Sequence, residues 1–371
     1  MNNLGKVIIF MKICVIGLRG FPGVQGGVEK HCEFLYGKLQ HDFNFSVFRR
    51  KPYLKRMNDN DVRFEQIDFI DLPSTKLKGL ESLLHSFIST IYVAFIGCDI
   101  VHYHNIGPAV FSPILKIKNI PILLTYHSAN YEHEKWGFLA KKFLKFCEWV
   151  SLSCADRIIF VNKFQMEKYS DDIRKKSIYI PNGVDFKNKS ENDFFLKKFG
   201  LNDSTYILAV GRLTPEKGFD VLTKAFNIAS LDNIKLVIAG ASDNELLYQD
   251  TLIKNSNGNI IFTGYANEEE LNQLYSNAAL FVLPSYNEGF PLVLLEAMSF
   301  SLDVLVSDIP ATRILCLDED CYFQTGNYVQ LASKISDHLK FKKNYNYNLS
   351  MYNWDHVAKQ TAMVYNLLER D

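Results

Sequence analysis

Lys12-Ile-Cys-Val-Ile16-Gly17-Leu-Arg-Gly20-Phe-Pro-Gly23-Val-Gln-Gly26-Gly27-Val-Glu29 passes from an apolar run straight into five glycines within eleven residues. The run predicts a buried strand at Ile13–Ile16, and the apolar spacing that follows predicts a helix over Val28–Leu39. Strand, glycine loop and helix are the opening of a βαβ unit. Glycine lets the backbone approach an anion closely, and a helix N-terminus supplies N–H groups and partial positive charge. The spacing is not G-x-G-x-x-G, and no acid ends a proper second strand, which disfavours a nicotinamide cofactor. A plain flexible connection stays open as the alternative.

The same alternation continues outward. Strands are predicted at Phe45–Phe48, Phe64–Phe69, Ile100–His104, Ile122–Tyr126, Arg157–Val161 and Ile178–Ile180, with helical spacing between most of them, as at Phe138–Leu152. The pattern restarts at Tyr206–Val210, Lys235–Ala239, Ile260–Thr263, Leu280–Leu283 and Val304–Val306, and Asn267–Glu270 reads as a capping box. Polar Asp185–Ser204 between the two series is the expected linker. The fold class is α/β: two doubly wound parallel-sheet domains facing a cleft, with ligands at the carboxyl ends of strands.

A length of 371 residues fits two such domains, and 47% apolar with 22% charged residues excludes a disordered chain. The 7 cysteines are scattered without C-x-x-C, which argues against disulfides and structural zinc and fits a reducing cytosol. Zero net charge conceals two halves: residues 1–185 carry +7 and residues 186–371 carry −7. Met1–Phe10 lacks a secretory leader's apolar core, and Met11 is an alternative start. Ser82–Cys98 has no Asp, Glu, Lys or Arg, but it falls short of the about 20 apolar residues of a membrane span. It reads as a buried helix.

Three further groups carry chemistry. In Gly211-Arg-Leu-Thr-Pro-Glu-Lys217-Gly218, Arg212 and Lys217 emerge from one loop beside a helix start, a pairing suited to a diphosphate unless it is only a solvated basic turn. In Pro284-Ser-Tyr-Asn-Glu288-Gly-Phe-Pro291-Leu-Val-Leu-Leu-Glu296, Pro291 fits the first turn of a helix. Glu296 then lies in an apolar segment, where a carboxylate needs partners: a ribose diol, or a structural arginine. The histidines of Val101-His102-Tyr-His104 and Thr125-Tyr-His127 end two strands, and His104 and His127 are expected to face the cleft. Metal-ligand spacing is absent, with His102 and His104 expected on opposite faces of their strand. The D-x-D strings Asp59–Asp61 and Asp318–Asp320 follow no apolar strand and are assigned no metal role.

With Gly26–Glu29, Ile180-Pro-Asn-Gly-Val-Asp185, Gly211–Gly218, the Glu288/Glu296 pair and Tyr352-Asn-Trp354 before a final helix, the chain resembles the retaining family-4 glycosyltransferases of the GT-B fold. The resemblance runs from about Lys12 to the end. It implies an acceptor domain over 11–185, completed by a helix at 355–371, and a nucleotide-sugar domain over 186–354. It also implies that Arg212 and Lys217 bind the donor diphosphate, Glu296 the ribose and Glu288 the donor sugar. Backbone N–H groups at Gly289 and Phe290 complete the phosphate site, with Gly26 and Gly27 lining the same pocket. Tyr265 lies near the nucleobase, His127 near the reacting sugar, and His104 and Glu29 on the acceptor side. No metal or other cofactor is expected. Departures occur at Asn162, Ala241–Asp243, Ser301-Leu-Asp303 and Pro310–Arg313, where the family's usual residues are replaced.

Arg49–Arg56 and the Phe/Leu-rich Lys141–Lys145 region are basic, interleaved with aromatics, and suit an anionic membrane surface. No nucleic-acid motif occurs. The resulting expectation is a cytoplasmic hexosyltransferase, peripheral at the inner face of the membrane. It would move a sugar from a nucleotide-sugar to a lipid-linked saccharide in O-antigen or capsule assembly. Another GT-B enzyme (an epimerase or sugar-phosphate synthase) and an inactive saccharide-binding module are the alternatives.

Overall fold

The computed structural model describes residues 10–54, 62–75, 77, 80–129, 137–203, 205–242, 246–341 and 345–369. The chain forms two compact units, Met1–Asn182 with Trp354–Asp371, and Gly183–Asn353.

The first unit is built on seven strands: β1 (Lys12–Ile16), β2 (Asn44–Arg50), β3 (Ile67–Leu72), β4 (Ile100–His104), β5 (Ile122–Tyr126), β6 (Arg157–Phe160) and β7 (Ser177–Tyr179). They pair in the order β3-β2-β1-β4-β5-β6-β7, all parallel. Residues Ile13–Ile16 and Ile122–Leu124 are wholly buried because helices cover both faces, which explains near-continuous apolar runs instead of alternation. The second unit holds β8 (Tyr206–Val210), β9 (Lys235–Ala239), β10 (Ile260–Gly264), β11 (Leu280–Leu283), β12 (Val304–Ser307) and β13 (Tyr322–Phe323). Their order is β10-β9-β8-β11-β12-β13, again parallel. Ile207, Leu236, Leu280 and Leu305 of this sheet pack with Phe219, Leu222 and Leu331 in one core. In each sheet the chain reverses direction beside its first strand, at β1/β4 and β8/β11. That is the switch point where α/β sheets bind ligands.

The last helix, Trp354–Leu368, belongs to the first unit. Trp354 stacks on Phe34 at 5.5 Å, and Tyr365 packs edge-on to Phe43 at 5.2 Å.

Several expectations change. Asp185–Ser204 is not a linker: the helix Phe194–Lys198 within it buries Phe195 and Leu196, and Gln273 Oε1 accepts from Phe195 N at 2.8 Å. Phe64 belongs to a 3-10 turn before β3, and β13 was too short for its pattern to register. The helix Leu80–Ile96 buries His85, Ser86, Ser89, Thr90 and Val93, yet Phe95 is 86% exposed, so this uncharged stretch is only half covered. Among the described residues no helix is long and apolar enough to cross a membrane.

Within the basic cluster at Arg49–Arg56, Lys51 is exposed but the two arginines that open it do not face outward. Arg49 and Arg50 end β2 and are buried. Arg49 forks onto both oxygens of Asp71 at 2.7 and 3.0 Å and lies 4.1 Å from the Phe69 ring centroid, while Arg50 faces Glu81 and Ser82. A parallel neighbour strand supplies the carboxylate, and long-range pairing of this kind leaves no mark in local sequence. Lys55, Arg56, Asp59 and Asp61 lie outside the described residues.

Gly17, directly after β1, has φ +116°, and a Cβ there would sit 2.2 Å from the His104 carbonyl oxygen. Gly17→Ala should therefore lower stability by at least about 1–3 kcal/mol, measured as a reduced urea midpoint at unchanged slope.

Candidate active site

In the second unit the loops after β8 and β11 meet. Gly218 caps the helix Phe219–Ala229 at φ +65°, and a Cβ there would lie 2.1 Å from the Pro284 carbonyl oxygen. That close approach brings Lys217 to Glu288: Lys217 Nζ donates to Glu288 Oε1 at 2.6 Å, and Ser285 Oγ donates to the same oxygen at 2.7 Å. Glu288 Oε2 has no partner among the described residues. The backbone locks the two loops further, with Tyr286 N donating to Glu216 O at 2.9 Å. Arg212, on the same loop as Lys217, is half-buried. Its guanidinium has no ion pair or hydrogen-bond partner among the described residues. One carboxylate thus orients the lysine while the neighbouring arginine stays available to an anion.

Pro291 is the N-cap of the helix Leu292–Ser299, one position before the first turn, and Phe290 is buried against Tyr352 with ring centroids 5.8 Å apart. Glu296 draws a partner from the helix Glu268–Asn277. Tyr275 Oη, wholly buried, donates to Glu296 Oε2 at 3.0 Å. Burial, reinforced by that carboxylate, holds the Tyr275 phenol well above its usual pKa, so it remains a donor. Tyr275 and Ser285 were invisible to sequence reasoning, since neither lies in a pattern that announces its contact. Tyr265, after β10, is half exposed. Asn267 and Glu270 form the expected capping box.

In the first unit the loop from Gly17 to Gly26 folds around Glu29. The Glu29 carboxylate accepts from Arg19 N at 3.0 Å and is buried, so it organises its own loop. Gly26 is the N-cap and Gly27 the first residue of the helix Gly27–Leu39. His127 stands just beyond β5, buried with His104.

The histidines correct the sequence reading. Residues two apart on a strand share a face, and His102 and His104 stack with ring centroids 4.4 Å apart. His104 Nδ1 lies 2.9 Å from His127 Nε2, and Tyr36 Oη lies 2.6 Å from His104 Nε2. His31 joins from the neighbouring helix, its ring centroid 4.8 Å from that of His127, with Nδ1 at 2.8 Å from Asn182 Oδ1. His31, His104 and His127 offer ring nitrogens within 4.8 Å of one another, a grouping able to hold a metal ion. Both nitrogens of His104 are already engaged by hydrogen bonds, so an ion would have to displace one. His31 was missed because helix Gly27–Leu39 brings it in from 73 positions before His104.

Two family models match this chain: Glycosyltransferase Family 4 over residues 25–188 and Glycosyl transferases group 1 over residues 191–350. The chain is a glycosyltransferase of the GT-B fold. It is 26% identical over 316 residues to an uncharacterized glycosyltransferase of Methanocaldococcus jannaschii, covering 84% of this chain and 83% of the relative. It is 28% identical over 239 residues to the Escherichia coli UDP-Gal:alpha-D-GlcNAc-diphosphoundecaprenol alpha-1,3-galactosyltransferase, 60% of each chain. Among solved structures, sucrose-phosphate synthase from Thermosynechococcus elongatus shares the fold at TM-score 0.80 and 22% identity, covering 96% of this chain and 99% of the other. Anabaena HepE in complex with UDP and glucose does so at TM-score 0.76 and 16% identity, covering 96% and 99%.

The glycosyltransferase's buried histidines set an acid limit on stability. Burial lowers the pKa of His31 from 6.5 to about 4, and holds His102, His104 and His127 well below 6.5. The unfolded chain therefore takes up these protons first, and stability falls as pH drops below about 6.5. His338 works oppositely: burial lowers its pKa, but Asp303 outweighs burial and raises it. Burial also lowers His85 to about 4, so five histidines oppose one, and the urea midpoint should be lower at about pH 5 than at about pH 7.5, with His31 alone contributing up to about 2 kcal/mol. An unchanged midpoint would show that the cluster is not held neutral.

Proposed function

We propose that this glycosyltransferase is a retaining, metal-independent hexosyltransferase that moves a sugar from a nucleotide-sugar to a lipid-linked saccharide during surface-polysaccharide assembly. The observation that carries the reading is the Arg212/Lys217 pair, one cation unpaired and the other oriented by Glu288, beside the helix start at Gly218. Breaking the anomeric C–O bond builds negative charge on the departing diphosphate and positive charge on the sugar. Fixed cations and helix-terminal N–H groups stabilise the first charge at little reorganisation cost. Gly289 and Phe290 would supply further N–H groups.

Glu296, pre-oriented by Tyr275, would accept from the ribose hydroxyls, and Tyr265 would pack near the base. The free Oε2 of Glu288 suits a donor-sugar hydroxyl. His127 acts on the transferred sugar, while His104 and Glu29 organise the acceptor unit. In this reading no side chain serves as a covalent nucleophile, and the departing phosphate guides attack from its own face. The Escherichia coli galactosyltransferase, named for a diphosphoundecaprenol substrate, and an alpha-galactosylglucosyldiacylglycerol synthase of Streptococcus pneumoniae support a lipid-linked acceptor.

An acceptor of that kind requires the enzyme at a membrane surface, here the inner face of the cytoplasmic membrane. The helix Phe138–Cys154 suits that role: Leu139 is 80% and Trp149 65% exposed, Phe138, Phe143 and Phe146 are exposed beside them, and Lys142 and Lys145 accompany them. Apolar side chains would enter the headgroup boundary while each lysine near anionic lipid adds about 1 kcal/mol.

A thermal-shift panel of UDP, GDP and ADP with their sugar conjugates tests the reading. One nucleotide series should stabilise the chain equally with and without EDTA, by about 2.7 kcal/mol at 100 times Kd. Arg212→Ala and Lys217→Ala should each weaken that nucleotide about 10–100-fold. Loss of the shift in EDTA would exclude metal independence, and no shift with any nucleotide would remove the donor assignment. Separately, sedimentation with phosphatidylglycerol vesicles should be strong for the native chain and weak for Leu139→Asp/Phe143→Asp. Equal sedimentation would exclude this helix as the anchor.

A further inference from the structure

The histidine cluster holds more hydrogen-bonding groups than His127 alone requires. Tyr36 Oη lies 2.6 Å from His104 Nε2 and 2.9 Å from His102 Nδ1. Tyr365 Oη lies 2.7 Å from the same His102 nitrogen, and Thr125 Oγ1 lies 2.7 Å from His102 Nε2. His104 Nδ1 and His127 Nε2 are 2.9 Å apart. Burial keeps His102, His104 and His127 neutral, so each ring has one N–H and one bare nitrogen.

Proton count and bond length together select the direction of the chain of bonds. His102 Nδ1 faces two phenols but has only one lone pair or one proton. If Tyr36 donated to His102, Tyr365 would compete for the same lone pair at 2.7 Å. Tyr36 and Tyr365 also hydrogen-bond to one another, so the competition is relieved either between the phenols or at His104 Nε2, and the 2.6 Å contact to His104, the shortest Tyr36 makes, selects the second. His102 Nδ1 then accepts from Tyr365 or donates to Tyr36, and Thr125 completes either form. With Nε2 accepting, His104 carries its proton on Nδ1 and donates to His127 Nε2. His127 must then carry its proton on Nδ1, which has no partner among the described residues. His31 adds no competing donor: its Nδ1 is held by Asn182 Oδ1, and its Nε2 is buried without a partner.

We infer that Tyr36 and His104 are positioning residues that lock His127 in its Nδ1–H form, so that it meets a sugar oxygen as a neutral hydrogen-bond donor and not as a base. The inference rests on the proposed transfer reaction only for the identity of that oxygen. A neutral donor is the suitable partner there, because an imidazolium would repel positive charge developing on the sugar ring.

The test is the protonation pattern itself, read from long-range proton–nitrogen NMR correlations in the full chain labelled with 15N-histidine, without nucleotide or acceptor. His127 should show a protonated Nδ1 and a bare Nε2. Tyr36→Phe, which removes only the hydroxyl, should shift His127 toward the Nε2–H form. His104→Asn retains an amide N–H near the position of Nδ1 and should preserve more of the native pattern than His104→Leu. A native His127 protonated at Nε2 overturns the inference, and so does an unaltered His127 pattern in Tyr36→Phe. Neither result depends on nucleotide binding, so a failed donor assignment and a failed relay are distinguishable.

Discussion

Backbone passing directly over backbone at the carboxyl ends of the central strands is the constraint on which both candidate sites depend. In the first unit, Gly17 lets the chain leave β1 across the carbonyl of His104, the last residue of β4. In the second, Gly218 starts a helix against the carbonyl of Pro284, just after β11. A side chain at either place would push apart two loops whose functional groups must lie within hydrogen-bond reach. The same device sits at the same switch point of two separate parallel sheets. It explains why glycine stands at positions 17 and 218.

What each approach then requires is satisfaction of polar groups removed from water. An unpaired buried donor or acceptor costs about 1–3 kcal/mol, and the two units meet that demand differently. In the second, acidic side chains are held by groups from other elements: Glu288 by Lys217 and Ser285, Glu296 by Tyr275. Charges remain charges, oriented and partly open to a ligand. In the first, the polar groups are histidines and phenols, and burial suppresses their charge. Tyr36, His102, His104, Thr125 and Tyr365 form a neutral hydrogen-bonded network. The second unit thereby presents oriented charges, and the first a buried network of neutral rings and hydroxyls.

The surface of the first unit follows from the same economy of charge. Its basic excess suggested two patches, but Arg49 and Arg50 are consumed inside, where Asp71 and Glu81 neutralise them. Lys142 and Lys145 of Phe138–Cys154 stand outside with exposed Phe and Leu side chains. Equal local charge density therefore has opposite meaning on a central strand and on a peripheral helix, because only the strand has a neighbour on each side.

Sequence alone determined both series of strands apart from the two-residue β13, the glycine loop before Val28, the capping box at Asn267–Glu270, and the positions of Arg212, Lys217, Glu288 and Glu296. All of these are local: burial on two faces demands apolar runs, and turns or caps demand particular residues within a few positions. Tertiary structure alone decided the partners. Asp71 reaching Arg49, Tyr275 reaching Glu296, and His31 and Tyr365 reaching the strand-end histidines join residues 21 to 263 positions apart. The same holds for 185–204, whose polar composition concealed Phe195 and Leu196 until the fold supplied a surface to bury them. The shared face of His102 and His104 was available from the two-residue period of a strand. The partner that fixes each proton was not, because it depends on which helix packs over that face.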